Sequence, residues 1–208
     1  MKQLRYTLLS DGSSDRGLLP ILTWLLSDHL PSTSVQSEWA DLRRLRHPPQ
    51  TLPERIGVAI ELYPCDLLFI HRDAERASRE ERVAEITKAQ AGSPGAGFPA
   101  VCVVPVRMTE AWLLFDEAAI RRAAGNPNGL VHLALPTAVE ALPNPKRVLR
   151  EMLVGASEFT GRRRKKFHVS IAARNVAEHI PDFAPLRGFH AFAALEQDLQ
   201  QLIEAKAW

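Results

Sequence analysis

The chain is poor in cysteine, with only Cys65 and Cys102, each set in apolar surroundings. Two such residues cannot make a disulfide framework, and they read as buried free thiols in a reducing compartment. Long apolar runs are also missing. MKQLRYTLLS holds no extended apolar stretch before Asp11, which argues against a signal peptide. Leu18 to Leu26 is apolar but too short to span a bilayer, and Asp15, Arg16 and Asp28 flank it. A cytoplasmic protein with no membrane attachment is therefore expected. Excess charge of one sign is absent too: the formal net charge is +2, so any nucleic-acid-binding surface must be local. Repeats and low-complexity tails are missing. Gly12 lacks the following Gly-Lys-Ser/Thr of a P-loop. His71-Arg72-Asp73 spells the catalytic-loop triplet of protein kinases, but Ser78 stands where the asparagine is needed and no glycine loop precedes it.

Hydrophobic residues make up 46% of the chain and charged residues 24%, which is ordinary globular usage and promises a sizeable core. The organising stretch is Cys65 to Arg76, CDLLFIHRDAER. Its continuous apolar run, Leu67 to Ile70, reads as a strand buried on both faces. Asp73 and Glu75 follow where that strand would leave the sheet. Two residues apart in an extended tip, they can share one side.

The same arrangement recurs along the chain. Leu4 to Leu9 reads as the first strand and ends at Asp11-Gly12-Ser13-Ser14-Asp15, where Ser13 or Ser14 can cap a helix with Asp15 in its first turn. Leu18, Leu19, Ile21, Leu22, Leu25 and Leu26 give that helix a buried stripe, with Pro20 near its start. Val35 to Trp39 reads as a short strand and Leu52 to Leu62 as a helix with Ile56, Ala59 and Ile60 inward. Ala77 to Ala91 reads as an exposed helix with charge pairs at i, i+4. Ala100 to Val106 is a further strand that ends or lies at an edge near Pro105. Glu110 then falls just before an apolar helix. Strands alternating with helices predict an α/β fold with a mostly parallel sheet, whose strand ends share one edge. On that edge Asp11, Asp15, Asp73, Glu75 and Glu110 converge. Ligands bind there in open α/β sheets, and paired hard oxygens suit Mg²⁺ or Mn²⁺.

Residues 1–116 read as this α/β core and 117–208 as a helical C-terminal region packed on it. Helices are expected at Glu117 to Ala124, Pro145 to Leu153, Phe167 to Ala177 and Phe189 to Ala205. Two basic clusters stand out: Arg43, Arg44, Arg46 and His47, and the run Arg162, Arg163, Arg164, Lys165, Lys166 after Gly161. Each reads either as a solvated loop or as a contact for a phosphate backbone. Trp112 reads as core rather than as a base-stacking platform.

DGSSD after the first strand resembles the EGxTD-type turn of Toprim domains, the fold shared by topoisomerases, primases and OLD-type nucleases. HRDAE resembles their DxD motif, and MTEAWLLFD, NPKRVL, the Gly161 basic segment and IPDFAPL are similar to segments of a bacterial branch of Toprim-like proteins. The resemblance implies a sheet with helices on both faces and a divalent-metal site at its carboxyl edge. It assigns Asp11 to the position of the first-turn glutamate and Glu75 to that of the second aspartate, with Asp73 as the first. It also implies a nucleic-acid substrate, DNA or RNA, in a phage-defence or mobile-element setting, with a partner protein encoded nearby.

Two readings of function follow. In the first, Asp73 and Glu75 ligate Mg²⁺ or Mn²⁺ with Asp11 and Glu110 completing one or two sites, and Arg107, His71 or Arg162 to Lys166 neutralise phosphate, giving a metal-dependent phosphodiesterase of the nuclease type. In the second, the chain keeps the fold as a catalytically weak binding or regulatory subunit.

Overall fold

The computed structural model describes residues 2–208. Its first unit is strand β1 (Lys2–Leu9), a 3-10 turn over Ser13–Gly17, helix α1 (Leu18–His29) and strand β2 (Thr33–Trp39). Helix α2 (Leu52–Leu62), strand β3 (Leu67–His71), helix α3 (Arg79–Ala91) and strand β4 (Ala100–Val103) follow. The four strands form one all-parallel sheet in the order β2-β1-β3-β4. Tyr6 pairs with Leu67 and Leu9 with Ile70 across the centre, and His71 pairs with Val103. This is an α/β sheet flanked by helices, as the alternation predicted.

Strand order decides which face each helix covers. The chain steps one way from β1 to β2 and the other way through β3 to β4. With right-handed crossovers, α1 must lie on one face and α2 and α3 on the other. The side chains bear this out. Leu4, Tyr6 and Leu8 of β1 and Leu67 and Phe69 of β3 pack with Leu18, Ile21, Leu22, Leu25 and Leu26 of α1. Leu9, Leu68 and Ile70 face the other way, onto Ile56 and Ala59 of α2 and Ile86 and Ala89 of α3. Every residue of β3 is buried, which explains its unbroken apolar run. Each such side chain contributes about 1.5–3 kcal/mol when fully buried, before the entropy of ordering is subtracted.

Helix α1 alone cannot cover the β3–β4 half of its face. The C-terminal helices do so: α4 (Glu117–Ala123), α5 (Pro145–Ser157), α6 (Gly161–Lys166), α7 (Val169–Asn175) and α8 (His190–Lys206). Leu149, Leu153, Phe192, Leu195 and Leu199 join the α1 core, and α8 packs along β4. Trp112 is fully buried there, edge-on to Phe192 at 5.4 Å. The helical half therefore shares the core of the sheet. Among the described residues, no helix is long and apolar enough to cross a membrane.

Local chemistry sets the helix starts. Thr51 with Glu54 and Ser78 with Glu81 form capping boxes on α2 and α3, and Asn144 caps α5 with Pro145 at its first position. Four expectations needed correction. The β4 strand stops at Val103, short of Val106, and the residues after Glu110 form a 3-10 turn, Thr109–Leu113, in place of an α-helix. Neither Ser13 nor Ser14 caps the turn after β1; Gly12 occupies the cap position, and the Asp15 carboxylate reaches back to its N–H at 2.9 Å. The Gly161 basic run is helical.

Candidate metal centre and adjoining cleft

Strand order reverses between β1 and β3, and this switch point is where an open sheet presents a crevice at its carboxyl edge. The loops after β3 and β4 stay zipped together beyond the sheet. Arg72 N–H donates to Val103 O, Ala74 N–H to Pro105 O and Glu75 N–H to Arg107 O, at 3.0–3.2 Å. Glu75 and Arg107 adopt left-handed backbone, with φ of 54° and 64°, which costs a non-glycine residue roughly 1–2 kcal/mol. This pairing delivers Thr109 to Asp73. Its N–H and hydroxyl donate to Asp73 Oδ1 at 3.0 and 3.4 Å.

His71 closes β3 and is buried with Asp73 and Asp15 on one side. Its Nδ1 lies 3.0 Å from Val103 O; a carbonyl can only accept, so Nδ1 carries the hydrogen. Nε2 then faces Thr109 Oγ1 at 3.2 Å, Asp73 Oδ1 at 3.5 Å and Asp15 Oδ2 at 3.8 Å. Asp15 is itself held by Gly12 N–H and the Ser14 hydroxyl. Glu110 is largely buried, with Lys146 Nζ at 3.4 Å.

Burial pushes the Asp73 carboxyl up to about 6, and the charges of Asp15 and Glu110 push in the same direction, against the opposing pull of His71 and the Thr109 N–H. Asp15, Asp73 and Glu110 are thus one electrostatic group around His71. Asp11 and Glu75 lie outside it. Asp11 is half-exposed and ion-paired with Arg55 and with Arg72, the latter at 3.0 Å. Glu75 is 67% exposed with Arg82 at 3.5 Å, because its left-handed turn breaks the extended geometry that would have kept it beside Asp73. Of the expected acids, Asp73 and Glu110 come together, and Asp15 joins them in place of Asp11.

The donors at this edge are carboxylate oxygens and one imidazole nitrogen. No three ligand atoms at this edge lie within 4.8 Å of one another; among the described residues only Asp28, His29 and Glu196 do so. That second group lies at the far end of α1 and is filled by Arg187, which donates to Asp28 and to both oxygens of Glu196. At the strand edge the carboxylates are more widely spaced, and burial with the charges of Asp15 and Glu110 raises the Asp73 carboxyl. Hard cations such as Mg²⁺ and Mn²⁺ take carboxylate oxygens together with water and phosphate oxygens, and Asp73, Asp15 and Glu110 are the residues here that could supply them.

Beside the acids lies a cleft of about 360 Å³. Gly12, Ser13 and Ser14 from the β1 loop, Thr109 and Glu110 from the β4 loop, Lys146 and Arg150 from α5, and Ser170 and Arg174 from α7 line it, together with Arg43. Thr109 and Ser14, which hold Asp73 and Asp15, form part of its wall. Among the described residues, Arg43, Arg150 and Arg174 have no carboxylate partner within 4 Å, whereas Arg55, Arg72, Arg79, Arg82, Arg121 and Arg187 are all paired. Arg150 also borders a groove that reaches Arg164 of α6. A larger groove of about 690 Å³ along α1 shares Arg174 but contains none of the strand-end acids.

The basic residues singled out from sequence take different places. Arg162 to Lys166 are exposed on α6, and of these only Arg164 borders the groove. Arg107 lies outside the cleft and donates to Glu75 O at 3.4 Å. Sequence reasoning missed Lys146, Arg150 and Arg174. Lys146 and Arg150 stand at i, i+4 in NPKRVLR and so fall on one helix face, a signal that was available. Arg174 had none.

No family model, curated protein or solved structure matches this chain.

Proposed function

We propose that the chain is a divalent-metal-dependent phosphodiesterase of the nuclease type, built on a Toprim-like arrangement of its parallel sheet. One observation carries the reading: the carboxylates of buried Asp15 and half-buried Asp73, with Glu110, stand at the switch point against a cleft lined by arginines that have no carboxylate partner. The same juxtaposition is what phosphodiester hydrolysis needs, an ion site and a polyanion site sharing a wall.

Asp73, with Asp15 and Glu110, would hold Mg²⁺ or Mn²⁺. When bound, such an ion supplies Lewis-acid polarisation of the phosphate and a more acidic water. Thr109 fixes the orientation of Asp73, and Val103 O fixes the ring of His71. His71 Nε2 and Asp73 Oδ1, 3.5 Å apart, are the groups placed to act in general acid–base chemistry. Arg150, Arg174 and Lys146 neutralise the phosphate, the arginines with paired N–H donors. Asp11 ties the β1 loop to Arg55 and Arg72 and so acts on position rather than on the metal. A bacterial defence or mobile-element role with DNA or RNA as substrate, and a partner protein encoded nearby, rests on the resemblance alone.

A second reading, a binding or regulatory subunit with weak chemistry, is favoured by the arginine pairing of Asp11 and Glu75, the two positions where the resemblance places acids. Purified protein incubated with single- and double-stranded DNA and RNA, in Mg²⁺, Mn²⁺ or EDTA, separates the two. Metal-requiring cleavage that Asp73→Ala removes supports the enzyme. A folded protein that binds but never cleaves supports the subunit.

A further inference from the structure

We infer that the cleft takes a terminal phosphomonoester, the phosphate-bearing end of a nucleic-acid strand or of a nucleotide. This deepens the phosphodiesterase reading and rests on it for where the scissile bond lies. The charge of the cleft is the starting point. Four cationic side chains, Arg43, Lys146, Arg150 and Arg174, line it against one carboxylate, Glu110, which Lys146 already faces at 3.4 Å. Three guanidiniums are left without an acid. All three are exposed, so solvent screens their repulsion, and a polyanion seated among them would gain from each. An internal phosphodiester carries one negative charge, whereas a terminal phosphate carries about −1.5 to −2 near neutrality and offers three acceptor oxygens.

Shape and chemistry agree with the charge. Arginine forks match phosphate oxygens two at a time, and the hydroxyls of Ser13, Ser14, Thr109 and Ser170 add donors. At about 360 Å³ the cleft is at the small end of ligand sites, which suits one phosphate-bearing unit and not a duplex. Leu113 and Ala173 supply apolar residues to the same lining. From there Arg150 borders a second groove, where Arg164 is the other cation and Glu151 and Glu158 also line the wall, so the phosphate contacts centre on the cleft itself. The end would thus be held one contact from Asp73 and Asp15, through Thr109 and Ser14.

The test is binding in EDTA, so that no cleavage intrudes. Fluorescence anisotropy compares one short single-stranded oligonucleotide carrying a 5′-phosphate, a 3′-phosphate or hydroxyls at both ends, with a nucleoside monophosphate as competitor. One phosphorylated end should bind roughly tenfold more tightly than the hydroxyl form at low salt, with a steeper salt dependence. Arg174→Gln and Arg150→Gln, each checked by melting temperature, should each reduce that preference to about twofold or less. Equal binding of phosphorylated and hydroxyl ends, or a preference that survives both variants, overturns the inference. A monophosphate that competes as well as the strand assigns the ligand to free nucleotide, and a much weaker one assigns it to strand ends; both keep the phosphomonoester. Failure of the two readings is distinguishable. End preference without metal-dependent cleavage removes the phosphodiesterase and keeps the subsite, and cleavage without end preference does the reverse.

Discussion

Two charged clusters sit at opposite ends of α1, built from the same residue types and tuned in opposite directions. At its C-terminal end, Asp28, His29 and Glu196 are close enough to ligate an ion, but Arg187 fills the space and stacks 5.1 Å from the Trp24 ring. Arg187 holds the Glu196 carboxyl below its usual range. At the other end, Asp15, Asp73 and Glu110 are more loosely spaced and Asp73 is pushed up to about 6. Arg187 closes the first cluster with its own hydrogen bonds, whereas in the second burial and neighbouring carboxylates dominate. Charge balance is the better guide to a site than proximity.

The largest test of this contrast is catalytic. Asp73→Asn should lower metal-dependent cleavage by about 10²–10⁴-fold, the usual range for removing a group that handles protons or charge at the reacting phosphate, while Glu196→Gln should leave it within about threefold. Comparable losses from both would erase the distinction.

Stability should respond in the reverse order. Arg187→Ala strips charged hydrogen bonds from Glu196 and Asp28 and should cost about 2 kcal/mol in a urea titration. Arg174→Ala, which removes no ion pair, should shift the midpoint by less than about 0.5 kcal/mol.

The pH dependence sharpens the point further. The folded Asp73 carboxyl binds its proton more tightly than the unfolded one, so its contribution is most favourable below about pH 4 and is lost as pH rises through about 6. At pH 8 the wild-type chain carries that penalty in full. Asp73→Asn should therefore be more stable than wild type by on the order of 1–2 kcal/mol at pH 8, a figure reduced for partial solvent screening, and the advantage should vanish near pH 4. Mg²⁺ or Mn²⁺ should raise the wild-type melting temperature at pH 8 and leave that of Asp73→Asn nearly unchanged. For Glu196 the sign is opposite: its lowered pKa favours the fold above the ordinary carboxylate range and that support is lost on acidification.

The smallest effect belongs to Glu75. Exposed and 3.5 Å from Arg82, it should tolerate Glu75→Gln with less than about 0.5 kcal/mol change and cleavage within about threefold. A loss as large as that of Asp73→Asn would return Glu75 to the metal, as the DxD likeness has it.

Much of the scaffold was legible beforehand. Leu67 to Ile70 announced the central strand because a strand covered on both faces has no solvent side to mark with polar residues. Leu52 to Leu62 was readable to the residue, since Thr51 and Glu54 form a capping box and Pro53 lies in the first turn. The 3-10 turn at Thr109–Leu113 was not, because Ala-Trp-Leu-Leu has apolar spacing compatible with either helix type. Of the five acids expected on one edge, Asp15, Asp73 and Glu110 interact there, while Asp11 and Glu75 turn to arginines. Asp15 looked like a helix-start acid, and its burial against His71 depends on the tight turn at Gly12.

By itself, then, the sequence determined the alternation of strands and helices, the edge on which the acids would gather, and the residue types available there. These are local properties, set by apolar periodicity, capping and turn chemistry. Only the tertiary structure decided that Arg55, Arg72 and Arg82 would take Asp11 and Glu75, and that Asp73 would be left with Asp15 and Glu110. It also decided that α5 and α7 would bring Arg150 and Arg174 to the same wall. Ion pairing and desolvation depend on distances between segments far apart in the chain. Arg55 and Asp11 stand 44 residues apart, and no local pattern records their meeting.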